Sequence, residues 1–146
     1  MSQWLNQPRE ELFEFFGDAT NLEKITPNLL SFKVVTPRPI EMKPGTLIDY
    51  KLKVRGIPIR WRTLIATWDR PEKFTDEQLK GPYKRWHHTH IFTEENGGTR
   101  CDDIVEYAPP GGPLAPLINK LVVQKDVEKI FMHRAKVLEE MFGGEP

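Results

Sequence analysis

The chain has one cysteine in 146 residues, no excess of either charge, no internal repeat and no long apolar run. The single Cys101 excludes an intramolecular disulfide and a multi-cysteine zinc site, and it suits a reducing cytoplasm. Cys101 is read as a small apolar wall residue, since a free cysteine packs as a small hydrophobe. Basic and acidic residues balance at 21 each, so no global field favours nucleic acid or an anionic membrane. A bilayer span needs about 20 apolar residues in a row, and no such run exists; stable membrane insertion is not expected. Met1 to Leu5 has no cationic region followed by an apolar stretch, so no signal peptide is expected. A strand is read almost from residue 1, which leaves room for native residues before Met1. The length suits one domain, residues 1–146, with enough burial for a core and an internal pocket.

Period-two and helical patterns divide the chain into elements. Ser2 to Leu5 reads as a strand. A helix follows, capped by Asn6 or Gln7 with Pro8, Glu10 and Glu11 in its first turn and Gly17 at its end. Asp18 to Ile25 reads as a second short helix. Strands are expected at Phe32–Thr36, Thr46–Val54, Ile57–Ile65, Lys73–Leu79, Tyr83–Glu94 and Thr99–Tyr107, with turns at Pro44-Gly45, Arg55-Gly56, Asp69-Arg70-Pro71, Gly81-Pro82 and Asn96-Gly97-Gly98. After Pro109–Pro113 a helix runs from about Leu114 to Phe142. Its apolar stripe is Leu117, Leu121, Val127, Ile130, Phe131, Ala135, Leu138 and Phe142. The fold class is therefore α+β: an antiparallel sheet of six or seven strands curved around one long C-terminal helix, with two short helices after the first strand.

The late strands carry polar groups on faces that should point inward. Trp86, His88, His90 and Phe92 alternate on one face, as do Phe74, Asp76 and Gln78, and Cys101, Asp103, Val105 and Tyr107. Burying such groups unpaired costs kcal/mol each, so a lined cavity is the economical explanation. The turns imply a register: Asp76 opposite His88, Phe74 opposite His90, His90 opposite Asp103, His88 opposite Val105, Thr63 beside Asp76 and Trp61 beside Gln78. Asp76–His88 and His90–Asp103 then form carboxylate–imidazole pairs, with Tyr50, Trp61, Trp86 and Tyr107 as aromatic walls. The plainer reading is that these pairs satisfy one another and leave nothing for a ligand. His88 and His90 with Asp76 or Asp103 would also supply three metal ligands. His-x-His on a strand recurs by chance, however, and no metal or cofactor is assigned. His87 points outward, and His133 is a surface residue of the helix. Arg60, Arg62, Lys51, Lys53 and Arg55 form a basic, solvated outer face.

Several segments resemble the SRPBCC superfamily, the helix-grip fold of START lipid-binding domains, pollen-allergen-like proteins and aromatase/cyclases. They are Arg60-Trp61-Arg62-Thr63, Phe74–Gln78, Gly81-Pro82-Tyr83, Trp86–Phe92 and Asp103–Tyr107. The likeness covers essentially the whole chain. It is similar above all to small bacterial ligand-binding members and to domains fused to epimerase-like proteins. It departs from the plant-allergen branch at Val54-Arg55-Gly56-Ile57, a plain turn with no Gly-rich loop, and it lacks the Cys/His set of a Rieske centre.

The resemblance implies a fold firmly and a function in outline. The first reading is binding of a small hydrophobic or aromatic molecule between sheet and helix. The second is a cyclase, dehydratase or isomerase with His88 and His90 as acid/base and Asp76 and Asp103 as orienters. The third is a protein-interaction module with a vestigial pocket. The candidate ligand-facing residues are Tyr50, Trp61, Thr63, Asp76, Gln78, Trp86, His88, His90, Asp103 and Tyr107.

Overall fold

Two hairpin turns organise the sheet. Arg55-Gly56 and Asn96-Gly97 each hold both central residues at positive φ, at 50° and 79° and at 50° and 76°. That is the primed turn whose twist matches the strands it joins. A computed structural model describes all residues, Met1–Pro146. The strands are β1 (Ser2–Leu5), β2 (Lys33–Val34), β3 (Leu47–Val54), β4 (Ile57–Asp69), β5 (Lys73–Lys80), β6 (Arg85–Glu95) and β7 (Gly98–Ala108). They form one seven-stranded antiparallel sheet in the order β1-β7-β6-β5-β4-β3-β2. Helix α1 (Arg9–Gly17), a 3-10 turn (Ala19–Asn21) and α2 (Leu22–Ile25) follow β1. The C-terminal helix comprises α3 (Ala115–Ile118), a π-turn (Asn119–Val123) and α4 (Gln124–Phe142).

The core is densest under α1. Leu12, Phe13 and Phe16 are buried, and the Phe13 ring meets Trp68, Phe74 and Phe92 edge-on at 4.8, 5.6 and 5.6 Å. Such edge-to-face pairs add about 0.5–1.5 kcal/mol each beyond area burial. A Cβ at Gly17 would lie 2.6 Å from the Trp68 ring, so the close approach of α1 to β4 requires glycine there. Leu138 anchors the same core from α4, and Gln3 Nε2 donates to the Ala135 carbonyl at 2.6 Å, tying α4 to β1.

Several details differ from the sequence reading. Helix α1 starts after Pro8 without a side-chain cap, while Asp18 caps the following turn by accepting from the Thr20 N–H at 3.0 Å. The strand expected at Phe32–Thr36 keeps ladder pairing only at Lys33–Val34. Beyond it the Thr36 hydroxyl accepts from the Asp49 N–H in place of a ladder carbonyl. Ile57, the first residue of the strand expected at Ile57–Ile65, is exposed at the hairpin tip. Leu117 and Leu121 leave the apolar stripe and are 55% and 59% exposed. The π-turn inserts an extra residue into the helix, which rotates everything before it, and Ile118 and Val122 are half-buried there while Leu117 and Leu121 are not. No helix is long and apolar enough to cross a membrane.

Candidate functional site: a buried histidine–aspartate network

The period-two pattern of β6 sends His88 and His90 to the concave face, and both are buried at 5% exposure. Asp76 faces His88 and Phe74 faces His90 across β5. His90 faces Asp103 and His88 faces Val105 across β7. These four pairings match the register read from the turns. The β4–β5 register does not. Thr63 pairs with Gln78, and Asp76 with Ile65, because the β4–β5 turn spans Asp69 to Lys73 and β4 is irregular between Ile65 and Thr67. A bulge of this kind moves every later partner, which turn composition does not reveal.

The side chains bond diagonally rather than straight across. His88 Nε2 lies 2.8 Å from Asp103 Oδ1, and His90 Nε2 lies 2.9 Å from Asp76 Oδ2. This corrects the expected Asp76–His88 and His90–Asp103 bonds. Strand twist and the lean of side chains bring diagonal neighbours within reach of long groups. The directly opposed pairs still touch. His90 Nδ1 is 3.0 Å from Asp103 Oδ1, at an angle that makes no hydrogen bond, and His88 Nδ1 is 3.9 Å from Asp76 Oδ2. Two imidazoles and two carboxylates thus alternate around a closed ring.

Burial opposes charge on all four groups, and the ring answers it unequally. Burial raises Asp103, but the hydrogen bond with His88 and the adjoining His90 imidazole hold it well below the usual carboxylate range. Burial raises Asp76 too, and its bond with His90 outweighs this and lowers it. Burial lowers His90, yet Asp103 and Asp76 together raise it above an ordinary imidazole. Burial lowers His88, the neighbouring His90 charge lowers it further, and Asp103 recovers only part. The two shifts are opposed, so His90 is the imidazole that takes up the additional proton more readily.

Aromatic and cationic groups close over the ring. Phe74 stacks on His90 at 4.2 Å, and Phe131 of α4 meets His88 edge-on at 5.6 Å. Arg134 lies beside Phe131, its guanidinium carbon 5.3 Å from that ring centre. Its charge bears on both Asp76 and Tyr50, and its Nη1 is buried without a partner. The sequence reading does not single out Arg134. The signal is there nonetheless: it sits one turn after Ile130 and one before Leu138, a charge inside an apolar stripe.

The other candidates divide. Tyr50 and Thr63 are buried on the inner face, and burial followed by the Asp76 charge pushes the Tyr50 hydroxyl far up. Gln78 uses its amide on the β5–β6 turn, donating to the Tyr83 carbonyl at 2.7 Å and accepting from the Tyr83 N–H at 3.2 Å. Trp61, Trp86 and Tyr107 cluster around Tyr83, which the sequence reading does not select, at centroid distances of 4.8–6.1 Å. The Tyr107 hydroxyl donates to Asn119 Oδ1 at 2.9 Å, joining this cluster to the π-turn. His87 lies on the outer face between Glu77 and Glu106, and His133 is exposed. Two hollows lie away from the ring. One of about 510 Å³ opens between the end of α1, Ile40, Met42 and Trp68, and one of about 390 Å³ opens beside Lys51, Lys53 and Arg60.

Residues 5–132 match the model of a family described as polyketide cyclase/dehydrase and lipid transport. Solved structures share the fold. Protein TTHA0849 of Thermus thermophilus superposes with a TM-score of 0.76 at 23% identity, over 96% of this chain and 92% of that one. Major latex-like protein 151 of Panax ginseng gives 0.58 at 16%, over 88% and 93%. A nucleoside-diphosphate sugar epimerase of Corynebacterium glutamicum gives 0.59 at 24%, with 77% of this chain covering 25% of that longer one. No curated protein matches the sequence.

Proposed function

The chain belongs to the polyketide cyclase/dehydrase and lipid transport family, and from that premise we propose that it binds a small hydrophobic or aromatic molecule between the sheet and the C-terminal helix. One observation carries the reading. Of the α4 stripe only Leu138 is buried; Val127, Ile130, Phe131 and Ala135 stay partly open to water. The sheet side matches, with Val54, Ile59, Trp61, Trp86 and Tyr107 also partly open. Two apolar surfaces left unsealed along one interface suit a guest that completes their burial, at roughly 25 cal/mol per Å² of apolar area covered. Arg134, whose Nη1 lacks a partner, and the histidine–aspartate ring supply a polar end for the guest. The aromatic cluster of Trp61, Trp86 and Tyr107 supplies flat walls.

The test is native mass spectrometry of the chain purified from its own host, alongside titration with an anilinonaphthalene sulfonate dye. A co-purifying small molecule at one-to-one stoichiometry, displaced by the dye, is expected. A bare chain that binds no dye overturns the proposal.

The opposed shifts of His88 and His90 favour an acid/base enzyme as the second reading. An imidazole whose proton affinity is lowered beside one whose affinity is raised offers base and acid in a single cluster. His88→Ala and His90→Ala separate the two readings. Retained binding of the co-purified molecule with lost conversion supports the enzyme. Binding and stability lost together, with no conversion by the wild type, count against it.

A further inference from the structure

We propose that Asp76, His88 and His90 form a three-ligand site for a divalent transition-metal ion of the zinc class, with Asp103 holding both imidazoles from behind. One donor atom from each of the three residues lies within 4.8 Å of the others. His90 Nε2 is 2.9 Å and His88 Nδ1 is 3.9 Å from Asp76 Oδ2. A tetrahedral ion with bonds of about 2.0–2.2 Å needs its donors about 3.3 Å apart, so His88 must move closer to Asp76 and His90 for the three to close on one ion. Two imidazoles and one carboxylate suit zinc and its transition-metal neighbours, whereas calcium and magnesium demand shells of oxygen.

The second shell is what sets this trio apart from a chance His-x-His. A ligating histidine characteristically gives its other ring nitrogen to a carboxylate. Asp103 Oδ1 accepts from His88 Nε2 at 2.8 Å, which leaves Nδ1 as the nitrogen turned toward Asp76. The same Asp103 oxygen lies 3.0 Å from His90 Nδ1, a buried nitrogen with no hydrogen bond, while His90 Nε2 faces Asp76. One carboxylate is thus placed to back both imidazoles. A dication, two carboxylates and two neutral imidazoles also sum to zero charge, which suits burial. Binding needs both imidazoles neutral and Asp76 ionised, so any additional proton these groups carry leaves to solvent. Three protein ligands leave a fourth position for water or for the polar end of a bound molecule. Only that last use rests on the ligand reading above.

Cobalt(II) is the probe, since its visible absorption reports coordination number. Chelator-treated full chain is titrated with cobalt and then with zinc, without any organic ligand. One equivalent of cobalt with the intense bands of a four-coordinate site, displaced by zinc, is expected. His88→Gln and His90→Gln abolish the spectrum, Asp103→Asn weakens binding by about 10–100-fold, and His133→Gln changes nothing. A folded wild type that takes up neither ion overturns the proposal whatever the variants do. So does cobalt binding that survives both His88→Gln and His90→Gln. Dye binding scored separately keeps the two ideas apart: uptake of dye without metal sinks this site alone, and uptake of metal without dye or guest sinks the ligand reading alone.

Discussion

His88 and His90 stack with ring centres 3.8 Å apart and planes tilted by 34°, yet each gives its Nε2 to a different carboxylate. Two imidazoles this close cannot both carry charge cheaply. The asymmetry of their partners decides which one does: His90 lies against both aspartates at 2.9 and 3.0 Å, His88 closely against only one.

The ring should matter far more to stability than the surface ion pairs. Asp103 sits in a buried network, and removing one member of such a network costs about 3–5 kcal/mol because the remaining groups stay desolvated. Asp103→Ala is expected to fall in that range, and Asp103→Asn to cost less because it keeps an acceptor. Arg62 and Asp49 form a well-aligned pair at 2.8 Å, but both are close to half exposed, and solvent screening holds such a pair to about 0.2–1 kcal/mol. Urea denaturation at neutral pH compares Asp103→Ala with Asp49→Ala. Equal losses would remove the energetic distinction between ring and surface.

Stability of the metal-free chain should peak near about pH 6.5, the ordinary imidazole value. His90 is raised, so its contribution is complete below the unfolded value and fades as pH climbs through the folded one. His88 is lowered, so the folded state binds fewer protons there than the unfolded chain, and stability falls as pH drops below about 6.5. Asp76 and Asp103 are lowered; their contribution is present above about pH 4 and is lost on further acidification. Urea midpoints across pH in the presence of chelator trace this dome. His90→Gln should flatten the alkaline limb and His88→Gln the limb just below the peak. A flat profile through the imidazole range contradicts the assigned shifts.

Cys101 should be chemically silent. Burial first, then the charges of Asp103 and Asp102, push its thiol up to about 12. It is a buried wall residue of β7 facing Phe92 across the ladder. A disulfide-exchange reagent at mildly alkaline pH should label it only as fast as the chain unfolds, so labelling and unfolding rates coincide across a urea series. Rapid labelling of the folded chain would show an open path to β7.

Most of the fold is legible in the sequence because its signals are local. Alternation in β3, β6 and β7 marks the strands, and two glycine turns set the β3–β4 and β6–β7 registers. The four ring residues are legible for the same reason, since a two-residue side-chain period leaves no freedom once the face is known. The misses are non-local. The β4–β5 ladder closes only at Asp69–Lys73, which carries Thr63 past Asp76, the π-turn rotates Leu117 and Leu121 to solvent, and strand twist crosses the hydrogen bonds. Arg134 escapes because helical periodicity is read for apolar residues alone.

Arg134 carries the last prediction. Its Nη1 is buried without a partner, and a guanidinium cannot shed its proton to escape that cost. Asp76 draws on its charge from the sheet, while Phe131 shields one face of its guanidinium. A guest with an anionic group satisfies the orphan donor, and a neutral guest does not. Hydrogen bonds to charged groups contribute about 1.5–3 kcal/mol, so Arg134→Met should weaken an anionic guest by about 10–150-fold. The loss appears as a ratio: affinity for the anilinonaphthalene sulfonate dye falls, while affinity for a neutral dye of similar size changes little, because methionine keeps the apolar volume of the arginine stem. Arg134→Lys should recover only part of the difference, since an ammonium lacks the planar fork. Equal loss for both dyes would make Arg134 a packing residue of α4, with the polar end of the guest to be sought elsewhere on the inner face.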